Sequence, residues 1–152
     1  MMRKLILSFV TLSLLISGCN TGNKPAESQK LVAGEIVTPL TNDTFRKYVF
    51  DYESEKVWNY KGDKPAIIDF YADWCPPCRE LSPLVEEVAK EYAGKIVVYK
   101  VNTDHERAVT QTLGISGLPT LVFIPVKGKP QLVVGFVSKE NLIKGVNEVL
   151  LK

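Results

Sequence analysis

The segment from Ala66 to Tyr92 constrains this chain more than any other. Ala66 to Ala72 (AIIDFYA) is a compact apolar run broken by one acid, Asp69. Runs this short and this apolar read as strands covered on both faces. Trp74-Cys75-Pro76-Pro77-Cys78 follows almost at once. Leu81, Leu84, Val85, Val88, Ala89 and Tyr92 then recur at helical spacing and make one apolar stripe. Gly94 suits the helix stop. Pro83 removes a hydrogen bond inside the helix and predicts a kink there. A buried strand feeding an amphipathic helix is half of a layered α/β unit.

The rest of the chain continues that alternation. Thr41 or Asn42 can cap a short helix reaching about Phe50. Asp51 to Lys64 is polar with interspersed aromatics and reads as a loop or an irregular helix. Ile96 to Val101 is a second buried strand, and His105 to Leu113 can form a helix ending at Gly114. Leu118 to Ile124 and Gln131 to Val137 read as strands joined by the Lys127-Gly128-Lys129-Pro130 turn, hence antiparallel. Ser138 caps a last helix with Leu142, Ile143, Val146, Val149 and Leu150 on its apolar face. The expected fold is α/β, a central mixed sheet with helices on both faces and no internal repeat.

The N-terminus reads as an address. Arg3 and Lys4 precede an apolar stretch from Leu5 to Ile16. As a helix that stretch spans roughly 18 Å, short of a hydrocarbon core about 30 Å thick. It is therefore a signal peptide rather than a membrane span. Leu15-Ile16-Ser17-Gly18-Cys19 resembles a bacterial lipobox, in which the cysteine carries lipid and becomes the new N-terminus. Ile16 stands where leucine is commoner. The competing reading is a plain secretory signal ending near a free cysteine, but an unpaired thiol is a liability in an oxidising compartment. Several acyl chains on Cys19 would make a stable anchor. The polar, aperiodic stretch that follows reads as a flexible tether. The expected division is 1–18 signal peptide, 19–39 tether and 40–152 globular domain.

Once Arg3 and Lys4 are set aside, 17 basic residues face 17 acidic ones. Taken as a whole, a balanced chain gives no electrostatic case for nucleic acid or anionic lipid headgroups.

The chemistry falls to the cysteines. Two cysteines separated by two residues face each other across one helical turn and can open and close a small disulfide. Cys75 comes first, where the positive end of the helix dipole and free N–H groups favour the attacking thiolate. Cys78, one turn in and more buried, resolves the mixed disulfide. A structural zinc site would need further Cys or His ligands, and only Cys19 in the leader and the lone His105 remain. A purely structural disulfide would close too short a loop to remove much chain entropy. No metal and no cofactor is expected.

Asp69-Phe70-Tyr71-Ala72-Asp73-Trp74-Cys75-Pro76-Pro77-Cys78, Pro83, Gly114-Ile115-Ser116-Gly117-Leu118-Pro119-Thr120 and Gly135 together resemble the thioredoxin family over roughly Leu40 to Lys152. The resemblance implies a thioredoxin fold and a protein-disulfide oxidoreductase. It makes Cys75 the nucleophile, Cys78 the resolving cysteine and Asp69 the buried acid behind them. Desolvation should raise the Asp69 pKa and suit it to take the proton from Cys78. Lys100 lies where the family often places a lysine near that acid. Pro119 matches the family's cis-proline, and Leu118 before it presents backbone to an extended substrate. Trp74, Pro76, Pro77 and Gly135 would complete the substrate surface.

Two departures from common thioredoxin stand out. Pro76 replaces a usual glycine and removes an N–H near the Cys75 sulfur, which should make the protein more reducing. The segment between Phe45 and Ala66 is longer than usual and holds Tyr52, Trp58 and Tyr60, either a partner-binding element or local aromatic packing. Thr120 after the proline leans toward a reductase of exported disulfide proteins, fed by a membrane thiol–disulfide electron donor. The alternatives are an oxidant, an isomerase or a non-catalytic binding lipoprotein on the same fold. The expected location is extracytoplasmic, on a bacterial membrane.

Overall fold

The computed structural model describes residues 36–152, so Cys19 and the leader lie outside the described residues. Five strands form one sheet in the order β1-β3-β2-β4-β5. They are β1 (Thr38–Pro39), β2 (Ala66–Tyr71), β3 (Val97–Asn102), β4 (Thr120–Ile124) and β5 (Gln131–Val134). β1, β3 and β2 run parallel. β4 is antiparallel to both β2 and β5. The helices are α1 (Asn42–Tyr48), α2 (Pro76–Glu91), α3 (Arg107–Thr112) and α4 (Lys139–Gly145), with a π-helical continuation over Val146–Leu150.

The alternation of side chains along each strand splits the core in two. Ala66, Ile68 and Phe70 of β2 face α1 and α3 and join Phe45, Val49, Val109, Val122 and Ile124. Ile67 faces the other way, with Leu81, Val85 and Val88 of α2 and Leu142 and Val146 beyond them. Asp69 shares the parity of Ile67, so the one acid of the run is aimed beneath α2.

The caps follow the sequence. Thr41 closes a capping box at α1, its Oγ1 accepting from Thr44 N at 3.2 Å while Thr44 Oγ1 accepts from Thr41 N at 2.7 Å. Ser138 caps α4, accepting from Asn141 N at 3.4 Å. α2 continues through Pro83 without a break.

The boundaries shift in three places. The sheet begins at Thr38, inside the span expected as tether, residues 19–39; a two-residue strand is too short to show any period. β4 starts at Thr120 rather than Leu118, because Pro119 has no N–H and follows a cis bond. β5 stops at Val134 rather than Val137, because Gly135 turns to a φ of +97°.

The longer segment before β2 packs rather than projects. Phe50 and Trp58 lie with ring centroids 4.9 Å apart, and Phe45 and Tyr52 6.1 Å apart. Tyr52, Trp58 and Tyr60 all rest on the core that α1 and α3 cover. Lys61 N donates to Val49 O at 2.9 Å and pins the segment to the end of α1.

Candidate active site

β2 delivers the chain to the edge of the sheet, and α2 begins at once. Cys75 is the N-cap of α2, and its sulfur accepts from Cys78 N at 3.3 Å. An N-cap side chain ordinarily draws on the N–H groups at the second and third helical positions. Pro76 and Pro77 fill the first two positions, so Cys78 N–H is the remaining first-turn donor next to this sulfur. Cys75 and Cys78 are joined as a disulfide with Cα atoms 5.3 Å apart. The expected contrast in burial between them is not seen, with Cys75 2% and Cys78 1% exposed. In the disulfide both sulfurs turn inward against Ala72, Tyr71 and Leu118.

Trp74 is 66% exposed and is no core residue. Its Nε1 donates to Asp104 Oδ2 at 2.9 Å. Asn102 supports this arrangement from both sides. Its Oδ1 accepts from Asp104 N at 3.0 Å, and its Nδ2 donates to Asp73 Oδ2 at 3.2 Å. With its N–H engaged, the indole offers a flat apolar face beside the disulfide.

A groove of about 400 Å³ runs along this face, lined by Trp74, Cys75, Pro76, Pro77 and Leu118 among others. The peptide bond between Leu118 and Pro119 is cis. Pro119 O accepts from Gly135 N at 2.8 Å, and Thr120 Oγ1 donates to Gly117 O at 2.7 Å, so the loop is held on both sides. Leu118 precedes the β4 ladder, which begins at Thr120, and its backbone lies outside that ladder. Gly135 supports the proline from behind and does not line the groove.

Asp69 is 3% exposed, and its Oδ1 has no hydrogen-bond partner. Burial pushes its pKa up to about 7, while the Lys100 charge draws it down. Lys100 is the register partner of Asp69 on β3, on the same face of the sheet. Both line a cleft of about 90 Å³ with Ser82 and Glu86 of α2. Ser82 Oγ donates to Cys78 O at 3.0 Å, so the cleft opens beside the turn that follows Cys78. Such a space admits roughly three waters, enough to carry a proton between the acid and solvent.

Asp104, Asn102 and Ser82 leave no signal in the sequence, since none belongs to a period or a spaced motif. Among the described residues, no group of three or more His, Cys, Asp or Glu side chains could hold a metal.

A mixed sheet that carries an exchangeable cysteine pair at the start of its central helix is the framework of a thiol–disulfide oxidoreductase. The thioredoxin family model matches residues 37–148. A thioredoxin of Borreliella burgdorferi is 50% identical over 108 residues, covering 69% of this chain and 92% of that protein. Thioredoxin 1 of Nostoc is 41% identical over 103 residues, covering 68% of this chain and 87% of that protein. The structure of a chloroplastic thioredoxin z superposes with a TM-score of 0.62 at 27% identity, covering 74% of this chain and 92% of that one. The chain belongs to the thioredoxin family, and it is a disulfide oxidoreductase with Cys75 and Cys78 as its cysteine pair.

Proposed function

We propose that this protein is an exported, lipid-tethered thioredoxin that reduces disulfides in exported proteins. The carrying observation is the joining of two features in one chain. A leader with a basic start, a short apolar stretch and Cys19 precedes a cysteine pair set at the N-cap of α2. Cys75, as thiolate, attacks a substrate disulfide; a new S–S bond forms, and the leaving sulfur takes a proton. Cys78 gives its proton to Asp69 and attacks the Cys75 sulfur, releasing the substrate as a dithiol and leaving Cys75–Cys78 oxidised. A membrane thiol–disulfide donor returns the two electrons. Asp69 suits its part because burial keeps its pKa near the working pH.

The extended substrate lies along the groove between Trp74 and Leu118, with the free Leu118 backbone available for strand addition. Pro76, Pro77 and Trp74 supply the apolar wall.

Two experiments test this reading. Insulin disulfide reduction should be lost in Cys75→Ser; a retained rate would show that the pair is not the working site. Wild-type protein should label with palmitate and fractionate with membranes, and Cys19→Ala should do neither. Membrane association unchanged in that variant would remove the tether from the account.

A further inference from the structure

The β5 edge of the sheet exposes a run of apolar side chains. β5 has β4 on one side only, and all of its residues face solvent. Leu132 is 46%, Val134 62% and Phe136 51% exposed. Free edges are ordinarily blunted by charge, proline or a bulge. From Gln131 to Val137 there is no charged residue and no proline. Charge gathers instead at one end. Lys127 and Lys129 are exposed in the turn before β5, and residues 125–139 contain no acid. Lys139, the other cation of that stretch, is held by Glu87 at 2.9 Å.

We propose that this hairpin edge, Val126 to Phe136, is a docking surface for an anionic lipid membrane. Apolar side chains beside exposed lysines match the boundary between acyl chains and anionic headgroups. Headgroups and interfacial water can also satisfy the free backbone groups of β5, which a dry contact would have to pair one by one. A second copy fits less well. Four residues of strand extend only about 13 Å, and a stable dimer needs about 800 Å² from each partner. Two-fold pairing would also set two acid-free, lysine-bearing stretches against each other.

The edge is joined directly to the reactive face. Gly135 N–H holds the Pro119 carbonyl, and Val134 packs against Gly117. Docking therefore keeps the cis-proline loop at the membrane surface, within reach of a membrane-embedded electron donor. This surface extends the tethered reading but does not require lipid on Cys19.

The described residues, 36–152, carry a five-stranded sheet with a core on each face, so this domain can be tested without leader or lipid. It should co-sediment with vesicles of phosphatidylglycerol and phosphatidylethanolamine at low salt and stay in solution with phosphatidylcholine. Lys127→Gln combined with Lys129→Gln should weaken that binding about thirtyfold. Leu132→Ser should weaken it severalfold, with the thermal unfolding of every variant kept near wild type. Equal binding by wild type and variants, or no binding to anionic vesicles, would overturn the proposal. So would a concentration-dependent dimer that Leu132→Ser dissolves, which would assign the edge to a second copy. Since this domain lacks Cys19, a failure here is distinct from a failure of the lipid anchor.

Discussion

Asp69 and Pro76 are the residues where this active site is tuned. Folded Asp69 titrates at about 7 against an ordinary value of 3.8. Between those values the folded state holds a proton that the unfolded chain has lost. The resulting stability is fully present below about pH 4 and is lost as pH rises through 7. The whole loss is about 4 kcal/mol. Urea midpoints should therefore fall for wild type between pH 5 and 8.5, and the Asp69→Asn variant should hold steady and be the more stable protein at the upper end. In the proposed mechanism the same substitution removes the acceptor for the Cys78 proton. Insulin reduction by the variant should slow mainly above neutral pH, and a pH–rate profile identical to wild type would contradict the base role. At position 76 the effect is on the sulfur. Pro76→Gly restores an N–H at the positive end of α2, which stabilises the reduced thiolate. About 1.4 kcal/mol corresponds to about 30 mV for this couple, so the potential should rise by about that amount. Asp69, the cysteines and the prolines were readable in the sequence because their type and spacing imply chemistry. Asp104 and Asn102 were not, since their role depends on loops that meet only in three dimensions.

At the scale of elements, the joints between helices and sheet carry the precision of the site. The N-termini of α1 and α3 cap each other. Asn42 N donates to Glu106 Oε2 at 2.6 Å, and Val109 N donates to Asn42 Oδ1 at 3.0 Å. Asn42→Ala should cost about 1–2 kcal/mol of stability, read as a lower denaturation midpoint. On the opposite face α4 crosses the sheet at Gly145, where a Cβ would stand 2.7 Å from Cε1 of buried Phe123. Gly145→Ala should destabilise by about 1–3 kcal/mol despite its better helix propensity, because a packed ring has to move. An unchanged or higher Tm would show that α4 is free to shift. Periodicity revealed β2, α2 and β3 well, since each buries a continuous face. It missed β1 and set the ends of β4 and β5 too far out. Those limits come from a cis bond and a left-handed glycine, which no hydrophobic pattern encodes. The segment from Asp51 to Lys64 was legible as irregular, but only the structure seats its aromatics on the core.

For the whole molecule, the reactive pair and the proposed docking surface share one sheet, the first over its centre and the second at its β5 edge. The chain enters at β1, the disulfide stands over the centre at the start of α2, and β5 closes the far edge. The cysteine pair, Asp69, the groove beside Trp74 and the cis-proline loop all lie within residues 66–135. Among the described residues no helix is long and apolar enough to cross a membrane, so in this account attachment rests on Cys19 and on the β5 edge. The proposed direction of electron flow is decided by the reduction potential of residues 24–152, equilibrated against a thiol–disulfide buffer. The potential should lie near or below the roughly −270 mV of thioredoxin, because Pro76 and Pro77 leave the Cys75 thiolate so few donors. A value near the roughly −120 mV of a strong oxidant would contradict it, since the reduced form would then be the stabilised one.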